Sequence, residues 1–348
     1  MDQLSKFEVV NPIYDDKWNE QIVSLKGYSF FHTSQWADLI SKSYGYDPIY
    51  HVLKNNGKLV AVFPLMEIKS VFTGNRGVSL PFSDFSNPLV ENSFQFNQLF
   101  ENIISLGTEK KWKFIELKGV DNFFSEIAPS HHEYKHIIHL DGNEDAIFSK
   151  FNNTTKRNIR KAAKEGVKVF QSDREEDLCK FFTLNAKTRK RHGLPPQPFS
   201  FFQNLYDIII KQGLGILFIA EYQNKVIAGN VYLHIENQAL YKFGASDFEY
   251  QNVRANNLIM WEAIKHYNSH GFKEFSFGKT EPNNDGLRRF KNGWSPVEIE
   301  TYNFRYSLAE NNFVSFGSQL KGFHNKVFEN LPLPVLKICG SMLYKHFG

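Results

Sequence analysis

The order hairpin, helix, strand occurs twice along this chain, and no other feature limits its possible folds so strongly. The first copy opens with YHVLKNNGKLVAVFPLMEI, Tyr50 to Ile68, where two strand-like runs flank Asn55-Asn56-Gly57. Those residue types suit the tight turn of a hairpin. FNQLFENIISLGTEKKWKFIELKG, Phe96 to Gly119, follows as an amphipathic helix and a strand. The second copy opens with ILFIAEYQNKVIAGNVYLHI, Ile216 to Ile235, turning around Gln223-Asn224. It continues with NLIMWEAIKHYNSHGFKEFSFGK, Asn257 to Lys279, where Leu258, Trp261 and Ile264 keep helical spacing and Gly271 ends the helix. Convergence can also produce this order in an α/β chain. A length of 348 residues accommodates either two ordinary domains or one large one.

The stretch between the copies reads as a crossover. Tyr134, His136, Ile138 and Leu140 alternate as in a strand, and Asp141-Gly142 makes a turn. A helix is then expected from about Asn153 to Glu165, capped by Asn153 or Thr154 and stopped at Gly166. The resulting division is a first lobe over 1–140, a second over 141–310, and a tail over 311–348 outside the repeat. The fold class is α/β (α+β), with mixed sheets flanked by helices.

Composition removes several classes. Lysine plus arginine exceed aspartate plus glutamate by only 41 to 37, too small a surplus to imply nucleic-acid binding, so no DNA partner is expected. Cys179 and Cys339 are the two cysteines and form no CxxC pattern, which argues against a disulfide framework. The start, MDQLSKFEVVNPIYDD, lacks a basic segment followed by an apolar run, and no apolar stretch reaches spanning length, so the expected compartment is the cytoplasm. His131, His132, His136 and His139 lie in a strand-like run whose neighbours alternate faces, and no HExxH is present, so no metal is assigned.

Several blocks in sequence resemble the FemABX-like peptidoglycan-bridge transferases. FSFGKTEPNNDGLRRFKNGWSP, Phe275 to Pro296, looks like their strand, turn and Gly-Leu-x-x-Phe-Lys-x-x-aromatic signature. FHTSQWADLI (Phe31 to Ile40) and LPFSDFSNPL (Leu80 to Leu89) resemble first-lobe blocks. NTTKRNIRKAAKEGVKV resembles the basic helix opening the second lobe, and TRKRHGLPPQPFSFF (Thr188 to Phe202) is a further matching block. The resemblance covers roughly residues 30 to 305. It implies two tandem lobes of the GNAT (acyl-CoA N-acyltransferase-like) type and transfer of an acyl or aminoacyl group to an amine or hydroxyl of a cell-envelope precursor. The alternatives kept open are a sugar or polysaccharide acyltransferase using a thioester donor, and a non-catalytic protein that grips tRNA or anionic lipid. No cofactor is assigned, and the donor stays open between aminoacyl-tRNA and an acyl thioester.

Two departures accompany the resemblance. There is no room for the long helical arm of some tRNA-using members. Ordinary acetyl-CoA enzymes carry R/Q-x-x-G-x-G/A at a helix start, where glycine lets backbone N–H groups reach a pyrophosphate. Here QNVRANNLIMW, Gln251 to Trp261, has Ala255 and Asn257 where glycines belong.

Acyl transfer needs a route for the nucleophile's proton and positive charge or N–H donors at the developing oxyanion. The resemblance assigns Lys291 to transition-state stabilisation, against a surface lysine paired with an acid. Lys279 ends strand FSFG, where α/β sheets often place ligands. Asp84 could accept a proton if burial raised its pKa, or simply cap a turn. Lys156, Arg160 and Lys164 share a helix face, and Lys187, Arg189, Lys190, Arg191 and His192 form a second basic cluster ahead of a stiff Gly-Leu-Pro-Pro loop. Either suits a pyrophosphate, a tRNA backbone or an anionic membrane, and Arg191 is preferred as the anchor. Lys242 and Ser246 close strand ALYKFGAS before a helix at Asn256, where acetyltransferase-type folds line the acyl site with splayed strands. Trp36 could stack on substrate or fill the core. The tail mixes apolar residues with Lys337, Lys345 and His346, which suits either the inner leaflet of the plasma membrane or packing on the second lobe.

Overall fold

The computed structural model describes residues 6–119, 124, 127–315 and 323–347. The first five residues of the leader reading, and residues 316–322 and 348 of the tail, lie outside them. The chain packs as two compact units. One comprises residues 1–133, 300–319 and 343–348, the other 134–299 and 320–342.

The first part of the chain forms β1 (Lys6–Val10), α1 (Trp18–Ile22), α2 (Ser34–Tyr44), β2 (Asp47–Pro48), β3 (Tyr50–Asn55), β4 (Lys58–Phe63), β5 (Met66–Ile68), β6 (Arg76–Val78), α3 (Ser93–Glu109) and β7 (Phe114–Lys118). β8 (His131–His139) carries the chain from the first unit to the second. There follow α4 (Glu144–Lys150), α5 (Asn153–Lys164), β9 (Lys168–Ser172), α6 (Glu175–Arg191), α7 (Phe199–Leu205), β10 (Gly215–Tyr222), β11 (Lys225–Ile235) and β12 (Gln238–Ser246). The chain continues through α8 (Ala255–Ser269), β13 (Glu274–Thr280) and α9 (Asp285–Asn292). β14 (Val297–Ser307) leads back to the first unit, and β15 (Asn312–Val314), α10 (Phe323–Asn330) and α11 (Leu333–Leu343) complete the described chain.

Both expected hairpins form. β3 and β4 pair antiparallel around Asn56 (φ 50°) and Gly57 (φ 79°), and β10 and β11 around Gln223 (φ 50°) and Asn224 (φ 61°). Two successive left-handed residues give a turn whose twist matches the strands. In the first unit β1, β3 and β4 form one small sheet. β2, β5 and β6 pair antiparallel, β6 runs parallel to β7, and residues 303–307 of β14 pair with β7. In the second unit β9, β10, β11 and β12 are antiparallel neighbours, β12 meets β13 in parallel, and β13 is antiparallel to residues 134–139 of β8.

Each unit has its own aromatic-rich core. Phe96, Phe100, Phe304 and Tyr306 pack with Leu99, Ile103 and Trp112 in the first. Trp261, Trp294, Tyr232, Tyr267, Phe275 and Phe277 pack with aliphatic side chains in the second. Burying one such ring contributes about 1.5–3 kcal/mol, so the high phenylalanine content is used inside. Trp36 belongs to this category. It is fully buried and meets Phe30 and Phe31 edge-on, at 6.5 and 4.8 Å between ring centres. The expectation that it stacks on substrate is therefore corrected, since no face of the indole reaches solvent.

α5 is capped one residue earlier than its sequence suggests. The cap is Asn152, whose side chain accepts from the Thr155 N–H at 2.7 Å. α5 buries Thr155, Ile159 and Ala162 and packs on α8. The tail is not one piece outside the repeat. Residues 300–315 pack in the first unit, and α11 buries Leu336 and Gly340 in the second. No helix among the described residues is long and apolar enough to cross a membrane.

Candidate active site

The second unit opens a gap between two of its strands. β12 and β13 pair in parallel only from Gln238↔Glu274 to Leu240↔Ser276. Beyond that point the remaining residues of β12, to Ser246, and of β13, to Thr280, have separate partners. β12 pairs with β11 as far as Ser246↔Ala228, while β13 reaches Thr280 against Tyr134 of β8. The divergence coincides with a bulge on β13 between Ser276 and Lys279, where Gly278 takes a left-handed φ of 69°. Strand carbonyls and amides that would have bonded across the pair are thus left for other partners.

Lys291 supplies one of these partners. It lies on α9, is 2% exposed, and its ammonium donates to the carbonyls of Gly278 (3.1 Å) and Lys279 (2.8 Å). The sequence is compatible with either a transition-state lysine or a surface lysine paired with an acid. The structure gives a buried ammonium that holds the bulged end of β13. α9 is fastened further by Arg288, whose Nε and Nη2 donate to Glu298 at 2.8 and 2.5 Å. Glu298 also bonds Nε2 of buried His136 at 2.9 Å. The Arg288 bonds, with His136 beside them, hold the Glu298 carboxyl down to about 2. Burial, and then the Lys291 ammonium, lower the pKa of His136 and favour its neutral form.

At the other side of the gap, β12 runs into a short turn and the start of α8. A pocket of about 130 Å³ lies here, and Ser246, Asp247, Tyr250, Arg254, Asn256 and Phe290 are among its lining. Arg254 precedes α8 with φ 62°, so the left-handed residue at this helix start is an arginine and not a glycine. The Asn256 amide donates to Ser246 Oγ at 3.1 Å. That bond joins two of the expected substrate contacts, but an amide cannot take the hydroxyl proton, and among the described residues no base bonds Ser246 Oγ. A pyrophosphate at this helix start would meet the Asn256 side chain before the bare backbone, so the local geometry departs from a glycine-type phosphate loop.

The carboxyl end of α6 is fastened to two of the lining residues, Ser246 and Asp247. Thr188 Oγ1 bonds both the carbonyl and the N–H of Ser246, at 3.3 and 3.4 Å. Lys187 pairs with Asp247 at 3.2 Å. Burial opposes ionisation of Asp247, but Lys187 and the Glu249 N–H outweigh it and hold the carboxyl below its ordinary range. Arg191 is exposed, with its guanidinium 5.0 Å from the centre of the Phe248 ring. It can reach an anion from this position without losing a partner carboxylate.

The other expected residues fall as follows. Lys242 lies on β12 with its ammonium 5.6 Å from the Phe243 ring centre, and Lys279 is half-buried on β13 opposite Lys135 in register. Arg160 stands on the exposed face of α5 over Phe148, at 5.4 Å, and does not line the pocket. Asp84 is half-buried in the first unit, in a loop with left-handed Leu80 and Phe82, where Ser83 Oγ donates to the Leu80 carbonyl at 2.6 Å. Asp84 and Trp36 belong to the first unit, and every other expected site residue to the second. Glu298, Arg288 and Thr188 were not singled out for the site. Glu298 follows the Gly-Leu-x-x-Phe-Lys block by seven residues from Lys291, and a paired arginine and glutamate so close to it was the available signal.

Residues 149–292, which contain the pocket, α6 and α9, match the acetyltransferase (GNAT) domain family. This match covers the greater part of the second unit, and the fold of the chain is similar to that of tandem GNAT structures. The structure of FemX superposes with a TM-score of 0.70 at 16% identity, covering 88% of this chain and 98% of that one. A tandem GNAT protein from the clavulanic acid biosynthesis pathway superposes at 0.57 with 9% identity, covering 87% and 98%. A lipid II:glycine glycyltransferase of Staphylococcus haemolyticus (strain JCSC1435) is 23% identical over 228 residues, which are 45% of this chain and 54% of that relative. The match thus spans about half the relative's length. The chain thus carries a GNAT-type domain over residues 149–292 and is similar in fold to FemX.

Proposed function

We propose that this chain is an acyltransferase that moves an aminoacyl group onto an amine of a lipid II-type cell-envelope precursor. The observation that carries the reading is the pocket at the start of α8, which lies beside the end of β12 and within the residues that match the GNAT domain. An acyl group seated there has the Asn256 amide and Ser246 hydroxyl beside it, and Lys242 and Lys279 on the two diverging strands. Arg191, exposed at the end of α6, anchors the phosphate of the donor. Lys291 acts as a positioning residue, because its ammonium fixes the β13 carbonyls and sets the width of the gap. The donor is aminoacyl-tRNA, since the motif counted from Gln251 puts Arg254 and Asn256, each one residue before Ala255 and Asn257, where a coenzyme A pyrophosphate would need glycine-like access.

The test is a transfer assay with a lipid II-type acceptor, offering charged tRNA or acetyl-CoA as donor and following the acceptor's mass. Addition of an aminoacyl residue from tRNA supports the reading. Acetylation from acetyl-CoA alone moves the chain to thioester chemistry. Tight tRNA binding without any product leaves a binding protein and sinks the proposal.

A further inference from the structure

The loop joining β5 to β6 in the first unit is held by hydrogen bonds in a shape that turns two apolar side chains outward. The Gly74 N–H donates to the Ser70 carbonyl at 2.8 Å, and Ser70 Oγ accepts from the N–H groups of Phe72 (3.2 Å) and Thr73 (3.0 Å). Buried Arg76 ties the loop base to Thr73 Oγ1 at 2.6 Å and to the His346 carbonyl at 2.8 Å. The His346 ring meets Phe72 edge-on at 4.7 Å. Despite this ordered base, Val71 is 91% exposed and Phe72 75%, and Phe347, next to His346, is 58% exposed. Single exposed apolar residues are ordinary, but a built loop that presents adjacent ones marks a contact surface.

We propose that this tip enters the interfacial layer of an anionic lipid bilayer. The choice of a bilayer over a protein partner rests on the charge around the tip. Lys69, Lys113 and Lys345 are all exposed. Lys69 opens the loop, Lys113 donates its N–H to the Asn75 carbonyl at 2.9 Å, and Lys345 precedes His346. Lys69 is paired with exposed Asp47 at 2.7 Å and with buried Glu67 at 3.4 Å, so the surplus of positive charge at the tip is carried by Lys113 and Lys345. Lysine is depleted at the centre of protein interfaces, whereas an apolar tip ringed by lysine suits headgroups above acyl chains. The inference extends the transfer reading, because it brings the chain to the surface where a lipid-linked acceptor lies, yet the loop geometry stands without it.

The experiment is flotation of the full chain with vesicles of phosphatidylcholine alone or mixed with phosphatidylglycerol, without any substrate. The chain is expected to float with the mixed vesicles, less so as salt rises. The Val71→Ser/Phe72→Ser double variant is expected to bind them about tenfold more weakly or worse, with an unchanged melting temperature because both side chains are exposed. A Phe72→Trp variant should gain blue-shifted emission on the mixed vesicles alone. Equal flotation of the double variant, or no shift for Phe72→Trp, overturns the proposal. So does a wild-type dimer that the double variant splits, since the tip would then be a self-association surface. Flotation that survives while no transfer is detected rejects the transfer reading and leaves this one standing.

Discussion

Lys291 is the residue whose chemistry the tertiary structure changes most. A buried ammonium bonded to two carbonyls costs a great deal to remove, because both acceptors lose their donor in a place water does not reach. Replacing it with Met should lower stability by about 2–3 kcal/mol, read from urea unfolding. On protein still folded at low temperature, a positioning role shows as a fall in kcat with KM nearly held. Glu298 gives a pH prediction. Its folded pKa of about 2 lies below the ordinary 4.5, so its contribution is complete above 4.5 and is lost as pH falls toward 2. His136, lowered from 6.5, adds a loss that begins as pH drops below that value. The Glu298→Gln variant should be less stable at neutral pH and should lose less on further acidification between 4.5 and 2. Urea midpoints across that range check both signs, and parallel curves for the two proteins would refute the assignment.

At the scale of elements, α11 depends on one small residue. Gly340 sits against the Pro196 carbonyl, and a Cβ built there would overlap it. Gly340→Ala should therefore push α11 off α6 and the Pro195-Pro196 loop, and limited proteolysis should cut earlier within 320–342. Unchanged cleavage would mean the helix can slide. α5 makes a milder case. Asn152→Ala removes the side-chain cap and should cost about 1 kcal/mol, measurable by thermal unfolding. The helix was legible from its basic stripe and from Gly166. Its cap was misplaced by one residue because three successive residue types, Asn152, Asn153 and Thr154, all cap well.

Across the whole molecule, the return of the chain matters more than the repeat. Residues 303–307 of β14 pair with β7, and Phe304 and Tyr306 fill the first core. A chain ending at residue 299 should therefore lose protection of β7 and α3 in hydrogen exchange, although every residue of the first 133 is present. Full protection in that truncated chain would show that the first unit needs no returning strand. A linear division at residue 140 does not anticipate this dependence, because local patterning carries no information on which distant strand an edge will accept.

Much of the architecture was readable in the sequence. Turn residues with left-handed freedom, helical spacing and stop glycines act over a few neighbours, so both hairpins, α3, α5, α8 and β13 follow from the chain itself. The Gly-Leu-x-x-Phe-Lys block forms α9, and its Phe290 lines the pocket. Only the tertiary structure decided which way the charges face. It turned Lys291 inward to two carbonyls, enclosed Trp36 between phenylalanines and set Ser246 beside Asn256. Burial and partner choice depend on elements far apart in the chain, and these decide whether a lysine is a free cation or a clasp.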